Sequence, residues 1–424
     1  MSMLTKWAKK AFLSGLEGLR GGTLTLECSG RTYRFGTDEG LRATLVVKDD
    51  SFFLRAISTS DIGIGESFMD GDWTSPDVVS LARLMLRNRL VLEGQSRVMG
   101  TLHRVVGGMS RRLRDNSLAG SRKHIHQHYD LGNDFFRLFL DAELHMYSCG
   151  YFESPGDTLE QAQMQKVDRI CRTMGLTPSD HVLEIGSGWG GFAVWAATHY
   201  GCRVTTTTIS HKQHSHVREW QSRLGDAGSR IDALCVDYRE LTGQFDKVVS
   251  IEMFEAVGLN HYDDYFKAAD RLLVKDGSMF LQTITVDDQW FPHYHGTPDW
   301  IEKHIFPGGE LASVGEIMRS LARTTSLSMY HAENLGTHYA RTLQAWRRRF
   351  HQQQDRVRAL GFDDRFMRMW DLYLASCEAA FLERHTGLFQ LFLVKNGSQR
   401  ALFNEPWSEA AEPPCAGAAK ESAA

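Results

Sequence analysis

Cysteine is sparse and irregularly spaced in this sequence. The 424 residues include seven cysteines, and no Cys-x-x-Cys pair or regular cysteine framework is present. This usage argues against a disulfide-stapled secreted scaffold and fits a reducing compartment. No apolar run approaches the roughly 20 residues that a membrane-spanning helix needs. The basic N-terminus also lacks the long apolar core and cleavage site of a signal peptide, so we expect a cytoplasmic protein.

A strong overall charge is also absent. The net charge of −4 gives no general reason to expect nucleic acid as a partner. Basic residues are concentrated locally instead, since residues 83–123 carry ten Lys and Arg against two acidic residues. This segment resembles a helix followed by a basic linker, for which an anionic membrane surface is a natural partner. A solvated linker is the alternative.

The length allows two or three domains. The predicted division is described by five consecutive segments. They are a basic amphipathic helix (1–20), a small β-rich domain (21–82), a basic helical linker (83–123), a large domain (124–400) and a disordered tail (401–424).

The first helix has two interpretations. Its apolar residues recur near helical spacing with lysines between them, and they are Leu4, Trp7, Ala8, Phe12, Leu16 and Leu19. Such a helix can lie on an anionic membrane surface or pack on the following domain with its lysines in water. In that following domain, two β-hairpins are predicted, one of strands 23–28 and 32–35 and one of strands 43–47 and 52–57. Asp70 and Asp72 fall in a predicted exposed turn, which we favour over a metal site.

The large domain alternates strand-like and helix-length segments. The strand-like runs are residues 182–185, 204–209, 233–236, 247–251 and 278–284. This alternation predicts a doubly wound, Rossmann-like α/β fold with a parallel sheet and helices on both faces. In such sheets ligands bind beyond the carboxyl ends of the strands.

A glycine-rich turn follows the first of these strands. Residues 182–191 read Val-Leu-Glu-Ile-Gly-Ser-Gly-Trp-Gly-Gly and lead into a predicted helix. Gly186, Gly188 and Gly190 permit close backbone approach to a ligand. Glu184 in the strand completes a pattern that resembles the S-adenosylmethionine (SAM) loop of doubly wound methyltransferases. A purely structural strand–turn–helix junction is the alternative.

Further polar residues are predicted at the same edge of the sheet. Thr208, Ser210 and Gln213 follow the second strand, and Asp237 follows the third. No acidic residue follows the second strand, where many nucleotide-binding proteins hold a ribose, so Thr208, Ser210 and Gln213 would take that role.

Several motifs, in order over residues 124–395, resemble the cyclopropane-fatty-acyl-phospholipid synthases. These motifs are residues 128–136, 146–152, 184–191, 208–210 with Gln213, 253–258 and 305–309, and a late helix containing Cys377 and Phe381 adds to them. The resemblance implies transfer of a methyl carbon from SAM to the double bond of an unsaturated phospholipid acyl chain. With the basic segments described above, such a substrate leads us to expect a peripheral protein on the anionic inner face of the membrane.

The resemblance implies roles for particular residues. A bicarbonate ion is the candidate base of the family, and its cradle here would be Cys149, Glu255, Tyr339 and position 282. Contacts to SAM would come from Tyr147, Ser148, Gly186, Gly188, Gln213 and Asp237.

Two positions depart from the family pattern. Gln282 stands where cyclopropane-forming members carry histidine, and Glu252 stands where they usually carry glycine. Glutamine cannot become a cation, and a second carboxylate would repel bicarbonate or take its place. We therefore predict that Glu252 is the base and that a methyl- or methylene-branched chain is favoured over a cyclopropane. In the alternative, Glu252 points away and Gln282 merely preserves a hydrogen bond.

Other features leave alternatives open. Two histidine groups, His124/His126/His128 and His211/His214/His216, lack the further ligands of a zinc site, so no metal is expected. The aromatic helix near residues 363–381 suits a core helix or the wall of an acyl tunnel. The rival functions are a small-molecule methyltransferase and a non-catalytic lipid-binding protein. A homodimer is compatible with the sequence, which does not fix the oligomeric state.

Overall fold

The computed structural model describes residues 2–37, 39–89, 131–295 and 299–400. Most of the predicted basic linker, the histidines at 124, 126 and 128 and the predicted tail after residue 400 lie outside the described residues. The predicted domain boundaries stay predictions, although the elements within the described ranges are clear.

The helices are numbered here in chain order over the described residues. They are α1 (Met3–Leu16), α2 (Ser51–Asp70), α3 (Val78–Arg87), α4 (Asn133–Arg137), α5 (Leu159–Thr173), α6 (Gly191–Trp195), α7 (His211–Ser222), α8 (Tyr262–Leu272), α9 (Phe291–Tyr294), α10 (Trp300–His304), α11 (Val314–Thr324), α12 (Gly336–Gln352), α13 (Gln354–Ala359) and α14 (Asp364–Leu382). A π-helical turn, Ala196–Tyr200, continues α6, and 3-10 turns cover Gly225–Arg230, Tyr238–Glu240, Phe254–Ala256 and Leu259–His261.

The strands form two sheets. They are β1 (Gly22–Cys28), β2 (Arg31–Gly36), β3 (Leu41–Val47), β4 (Trp73–Thr74), β5 (His181–Ile185), β6 (Arg203–Thr207), β7 (Ile231–Leu234), β8 (Phe245–Ile251), β9 (Leu273–Val286), β10 (Leu327–Asn334) and β11 (Thr386–Lys395). The smaller sheet has the order β2-β1-β3-β4, and the larger has the order β10-β11-β9-β8-β5-β6-β7.

The larger sheet confirms the predicted α/β fold. The five predicted strands are present as β5 to β9, and they pair in parallel. Two further strands that were not predicted extend this sheet, since β11 pairs antiparallel with β9 and β10 pairs antiparallel with β11. Both of these strands follow the βαβ alternation in the sequence. The alternation therefore did not predict them.

The smaller sheet confirms one predicted hairpin and corrects the other. β1 and β2 pair antiparallel, as predicted, whereas β3 pairs in parallel with β1. Residues 52–57 are not a strand, since they lie in α2. Phe52, Phe53 and Ala56 are buried on one side of this helix. A short apolar run of this kind fits a buried helix as well as a strand, and periodicity alone does not separate the two.

The predicted turn is present at the end of α2, where Asp70 is exposed and Asp72 is half-buried. The helix ends at Gly71, whose φ of 87° is in the left-handed region. Arg55 contacts the carboxylates of both Asp70 and Asp72, at 2.8 and 2.9 Å. The Arg55 guanidinium of α2 therefore holds both aspartates.

Helix α1 divides its apolar residues between two surroundings. Ala8 and Leu16 are buried, and the ring of Phe12 meets the edge of Phe52 at 5.2 Å. Leu4 and Trp7 lie in solvent, with 58% and 61% of their surface exposed. One face of α1 therefore packs on α2, as one interpretation predicted, while its first turns leave apolar surface uncovered.

Helices α12 and α14 join the two sheets. One continuous hydrophobic cluster runs from Leu24 and Leu45 of the small sheet to Trp346 of α12 and Trp370 of α14. Arg83 and Arg87 of α3 also bond to Glu383, just beyond α14. This packing fixes α12 and α14 against the carboxyl edge of the large sheet, where the candidate site lies.

Candidate active site

The carboxyl ends of β5, β6, β7, β8 and β9 lie along one edge of the large sheet, because these strands run parallel. Loops that follow them carry the predicted functional residues. Tyr339 reaches the same place from α12, and residues 147–150 reach it from the segment before α5. The fold thus brings together groups from distant parts of the chain.

The glycine loop after β5 leaves open space beside one glycine. Gly186, Gly188 and Gly190 have φ values of 97°, 49° and 96°. A Cβ added at Gly186 would lie 2.8 Å from Met253, whereas one added at Gly188 would meet nothing within 4 Å. Close packing therefore requires Gly186, and the space next to Gly188 is where a ligand can approach the backbone.

The polar residues after β6 form a connected group. The Thr208 hydroxyl donates to the Gln213 side chain at 2.8 Å, and Ser210 caps α7 by accepting from the Gln213 backbone N–H. Asp237, after β7, is buried and held by the Arg239 guanidinium at 2.8 Å. These residues border the edge beyond the glycine loop, as predicted for cofactor contacts.

Glu184 faces the neighbouring strand rather than the glycine loop. Its carboxylate accepts from the Thr206 hydroxyl at 2.5 Å within the sheet. Burial raises the pKa of Glu184 to about 8, although the Thr206 hydrogen bond opposes the shift. Its present contacts support the sheet beneath the loop.

Tyr147 and Ser148 are held from two sides. The Tyr147 hydroxyl lies 3.0 Å from the Tyr373 hydroxyl of α14. The Ser148 hydroxyl accepts from the Lys166 ammonium of α5 at 2.7 Å, and its carbonyl accepts from Gln163 at the same distance. Helix α5 therefore sets the position of the segment that leads to Cys149.

Glu252 occupies the centre of the predicted anion cradle. One carboxylate oxygen accepts from the Cys149 backbone N–H at 2.8 Å and from the Gln282 side-chain amide at 2.7 Å. The other oxygen accepts from the Tyr339 hydroxyl at 2.6 Å. The alternative in which Glu252 points away is therefore wrong, because three of the predicted cradle positions bond to its carboxylate.

The backbone at Glu252 is in a conformation that favours glycine. Its φ is 49°, in the left-handed region, where a non-glycine residue costs about 1–2 kcal/mol. The hydrogen bond from its backbone N–H to the Gln282 carbonyl, at 2.8 Å, helps to hold this conformation. Strain of this kind persists where the surroundings fix the residue, which is common in active sites.

Glu255 lies beside this network without joining it. One oxygen accepts from the Ile284 backbone N–H at 2.6 Å and from the Thr283 hydroxyl at 3.1 Å. The other oxygen is buried without a hydrogen-bond partner. Burial and the nearby Glu252 carboxylate together raise the pKa of Glu255 to about 8.

The charge balance around Glu252 includes a buried lysine. Burial raises the pKa of Glu252, while the bonds from Tyr339 and Cys149 and the charge of Lys166 oppose that shift. Burial lowers the pKa of Lys166 to about 8, although nearby Glu252 favours its charged form. A cation next to a carboxylate in a site of low dielectric favours the ionised carboxylate.

Cys149 contributes its backbone rather than its thiol. Burial raises the pKa of the Cys149 thiol well above its ordinary value, and Glu252 adds to the effect. The thiol instead points to the Gly150 carbonyl at 3.2 Å. A thiol in this environment is a poor nucleophile, which leaves the N–H donated to Glu252 as its role in the site.

Sequence reasoning missed Lys166, Gln163 and Gln390 in this network. A signal for the first two was available, since Gln163 and Lys166 interrupt the buried stripe of α5 that includes Ala162, Val167 and Ile170. Polar residues on an apolar helix face require buried partners. Gln390 carried no comparable signal, because its strand was not predicted.

Two further features concern the part of the chain that the structure describes, namely metal-binding groups and membrane-spanning helices. No group of three or more His, Cys, Asp and Glu side chains there could hold a metal ion. His214 is bonded to the Ala233 carbonyl at 3.1 Å, and His216 packs against Trp220. No helix among these residues is both long and apolar enough to cross a bilayer.

A doubly wound sheet with an open glycine loop after its first parallel strand defines a class I SAM-dependent methyltransferase. The mycolic acid cyclopropane synthase CmaA1, solved with SAH and CTAB, has this fold. It matches with a TM-score of 0.60 and 31% identity, covering 65% of this chain and 98% of that one.

Sequence comparison places the chain more narrowly. The model of the mycolic acid cyclopropane synthetase family matches residues 116–391. The tuberculostearic acid methyltransferase UfaA1 of Mycobacterium tuberculosis is 37% identical over 343 residues, which are 79% of each chain. The cyclopropane-fatty-acyl-phospholipid synthase of Escherichia coli K12 is 36% identical over 358 residues, which are 84% of this chain and 89% of that one.

The chain belongs to the mycolic acid cyclopropane synthetase family. It is therefore a SAM-dependent enzyme of the class that transfers a methyl carbon to unsaturated lipid chains. The resemblance stated from the sequence motifs is confirmed, and SAM is the cofactor of the reaction. The relatives include both ring-forming and methyl-transferring enzymes, so family membership alone leaves the product open.

Proposed function

We propose that this enzyme modifies the double bond of an unsaturated fatty acyl chain in membrane phospholipid and gives a methyl- or methylene-branched chain. The observation that carries the proposal is the Glu252 carboxylate, which bonds to Cys149, Gln282 and Tyr339 at the centre of the cradle. Bicarbonate would need the same donors. A carboxylate of the chain itself therefore serves as the base.

The proton acceptor decides which product forms. SAM, when bound, supplies an electrophilic methyl group. Methyl addition leaves a cation on the neighbouring carbon of the acyl chain. Loss of a proton from the new methyl group with ring closure gives a cyclopropane. A hydride shift followed by proton loss gives a methylene branch or a methyl-branched alkene, and each route releases one proton without a reductant.

Glu252 has the properties that this step requires. Its three hydrogen-bond donors fix the position of the carboxylate, so it is held in place before the cation forms. The oxygen that accepts from Tyr339 has one donor only, so it retains an acceptor site for the proton. Lys166 provides a buried positive charge that favours the ionised form. The position of the Glu252 carboxylate is limited by its link to the backbone, whereas a bicarbonate ion has no such link. The two bases can therefore remove different protons from the cation.

The surroundings suit an acyl chain. Aromatic side chains from four parts of the chain pack near the network: Tyr147, Phe306, Tyr339, Trp346, Tyr373 and Phe381. Tyr339 stacks on Phe381 at 4.5 Å, and Tyr147 meets Trp346 at 5.3 Å. Apolar walls exclude water from a cation and bind hydrocarbon. This lining supports a lipid substrate over a small polar one.

The site residues would hold SAM in the arrangement that the sequence predicted. The open space beside Gly188 is the observation that fits the cofactor. Tyr147 and Ser148 border the site from the segment before α5, while Thr208, Ser210, Gln213 and Asp237 border it from the strands beyond. The fit leaves cyclopropane formation with bicarbonate as the alternative product chemistry.

The product proposal is tested by mass spectrometry of derivatised fatty acid methyl esters from a host that expresses the protein. We expect branched chains from the wild type. Glu252→Gly with Gln282→His removes the carboxylate and adds an imidazole, so we expect the product to shift towards cyclopropane and to depend more on bicarbonate. Glycine also suits the left-handed backbone at this position.

Glu252→Gln serves as the matched single change. An amide keeps the shape of the side chain but cannot accept the proton, so we expect the rate to fall about a hundredfold or more. A wild type that makes only cyclopropane with full bicarbonate dependence contradicts the proposal. Unchanged rate and product in Glu252→Gln contradict it equally.

The substrate is proposed to be reached by adsorption to the anionic inner face of the cytoplasmic membrane. Met3, Leu4 and Trp7 leave apolar surface exposed at the start of α1, and Lys6 and Lys10 lie exposed beside them. Apolar residues flanked by lysines favour binding to anionic lipid. Added salt should weaken such binding, whereas equal activity on anionic and zwitterionic vesicles at low salt would exclude an electrostatic contribution.

A further inference from the structure

A chain of side-chain hydrogen bonds leads away from Glu252 through the large sheet. Gln282 of β9 donates its amide N–H to Glu252 at 2.7 Å. Gln390 of β11 donates its own amide N–H to the Gln282 side-chain carbonyl at 2.8 Å. Arg169 of α5 then donates to the Gln390 side-chain carbonyl at 3.2 Å. Two side chains, Gln282 and Gln390, therefore connect the Glu252 carboxylate to the Arg169 guanidinium.

Arg169, at the end of this series of hydrogen bonds, determines which group donates and which accepts in each of them. Arginine has only donors, so the oxygen of the Gln390 amide must face Arg169 and its nitrogen must face Gln282. The Gln282 oxygen must then face Gln390, which leaves its nitrogen for Glu252. An amide could otherwise sit either way round, because its two ends have nearly the same shape. The arginine thus determines which end of a distant amide meets the carboxylate.

The surroundings make this direction costly to change. Gln282 and Gln390 are 0% and 2% exposed, so water does not replace a lost partner. A buried polar group without a partner costs about 1–3 kcal/mol. Arg169 is itself held by an ion pair with Glu333 of β10, and its guanidinium lies 4.6 Å from the centre of the Tyr151 ring.

We propose that Arg169 and Gln390 are positioning residues that hold the Gln282 amide with its N–H towards Glu252, and so keep that carboxylate a proton acceptor. The inference rests on the proposed role of Glu252 as the base. A reversed Gln282 would place its carbonyl oxygen against the carboxylate, and the protonated form of Glu252 would then be favoured.

The other titratable groups around Glu252 belong to different elements. The Cys149 thiol lies in the segment before α5, Lys166 is on α5, Tyr339 is on α12, and Glu255 follows β8. None of these groups contacts Gln390 by a hydrogen bond. A change at Gln390 therefore reaches Glu252 through Gln282 while leaving those neighbours in place.

Gln390→Glu is designed to reverse the amide. A carboxylate beside Arg169 stays ionised and accepts only, so Gln282 must turn its N–H towards position 390 and its oxygen towards Glu252. We expect the acidic limb of the kcat/KM profile to move up by about one pH unit. At a pH on that limb, turnover should fall about tenfold, with SAM affinity by calorimetry unchanged.

The measurement follows release of S-adenosylhomocysteine on unsaturated phospholipid vesicles. This release counts turnover whichever lipid product forms, so a wild type that makes only rings without needing bicarbonate would defeat the branched product and leave this test of Glu252 intact. Gln352→Glu is the matched control, because Gln352 is exposed at the end of α12. A Gln390→Glu enzyme that binds SAM normally and keeps the wild-type pH profile overturns the inference.

Arg169 provides a second test that does not depend on the folding of a buried variant. Its side chain is 25% exposed, so substitutions there are better tolerated. Arg169→Leu removes the donor that fixes the direction and should lower kcat/KM several-fold, with the same upward shift of the acidic limb. Arg169→Lys retains a donor-only group and should restore the profile. Equal behaviour of the two variants, or no effect of either, overturns the inference.

Discussion

The carboxyl edge of the large sheet has two halves. They differ in whether open space or a side chain of the protein lies there. In the half proposed to hold SAM, here the cofactor half, at the ends of β5, β6 and β7, open space lies beside Gly188. In the reaction half, at the ends of β8 and β9, Glu252 is fixed by three donors and holds a left-handed backbone. One half is prepared to receive a ligand, and the other is already occupied by a side chain of the protein.

The difference matches where the chain departs from its family. The cofactor half holds the glycine loop and its polar neighbours, which match the motifs on which the resemblance to the family was stated. The two departures, Glu252 and Gln282, are both in the reaction half and bond to each other. Changes in the handling of one proton can therefore alter the product while the methyl donor stays the same.

The largest effect is expected in the cofactor half. Gly188→Val would fill the space beside the loop, so we expect no measurable SAM binding by calorimetry, with the reaction half left intact. The valine would also be strained at a φ of 49°, at a cost of about 1–3 kcal/mol in folding stability. Thermal unfolding of the variant measures that cost separately.

Gly175→Val is the matched control for this strain. Gly175 follows α5, has a φ of 58°, and a Cβ there would likewise meet nothing within 4 Å. We expect a similar loss of stability without loss of SAM binding. If both valine variants bind SAM as the wild type does, the assignment of the cofactor to the glycine loop is wrong.

A smaller effect is expected from the buried charge in the reaction half. Lys166→Met removes a cation that opposes the raised pKa of Glu252. That pKa should therefore rise further. Because the base must be ionised, activity is lost as the pH falls through this pKa, and the acidic limb should move up by about one unit. The kcat/KM profile on vesicles measures the shift.

Ser148→Ala separates the charge of Lys166 from its hydrogen bond. The variant removes the hydroxyl that accepts from Lys166 at 2.7 Å but leaves the ammonium group in place. We expect the acidic limb to stay where it is, even where SAM binding weakens. An equal shift in both variants would show that the position of Ser148, and not the charge, sets the profile.

Sequence patterns predicted the two halves to different extents. The glycine loop and the five parallel strands follow from local spacing, because strand, turn and helix signals are consecutive in the chain. Glu252 and Gln282 were identified by comparison with the family. The resemblance placed position 282 in one cradle with Cys149 and Tyr339, and in the structure all three bond to the Glu252 carboxylate.

What the sequence did not predict depends on long-range packing. The strand that carries Gln390 pairs with β9 across more than a hundred residues of chain, and no local pattern encodes that pairing. Residues 52–57 were assigned to a strand because a short apolar run does not reveal its period. Lys166 is different, because it interrupts the apolar face of α5. That local pattern could have predicted a buried polar contact.

The smallest effect is expected outside both halves, at the start of α1. Leu4→Ala removes exposed apolar surface that would enter the lipid interface, at about 0.8 kcal/mol for each buried CH₂ group. The change removes three carbons, but only the exposed 58% of Leu4 is free to enter the lipid, so we expect binding to anionic vesicles, measured by sedimentation, to weaken roughly fivefold to tenfold. SAM affinity should not change, because Leu4 is exposed on a helix that packs on α2. Leu360→Ala makes the same change at another exposed leucine, which is 45% exposed against 58% for Leu4. Equal vesicle binding by the two variants and the wild type would remove α1 from the membrane contact and leave the catalytic comparison untouched.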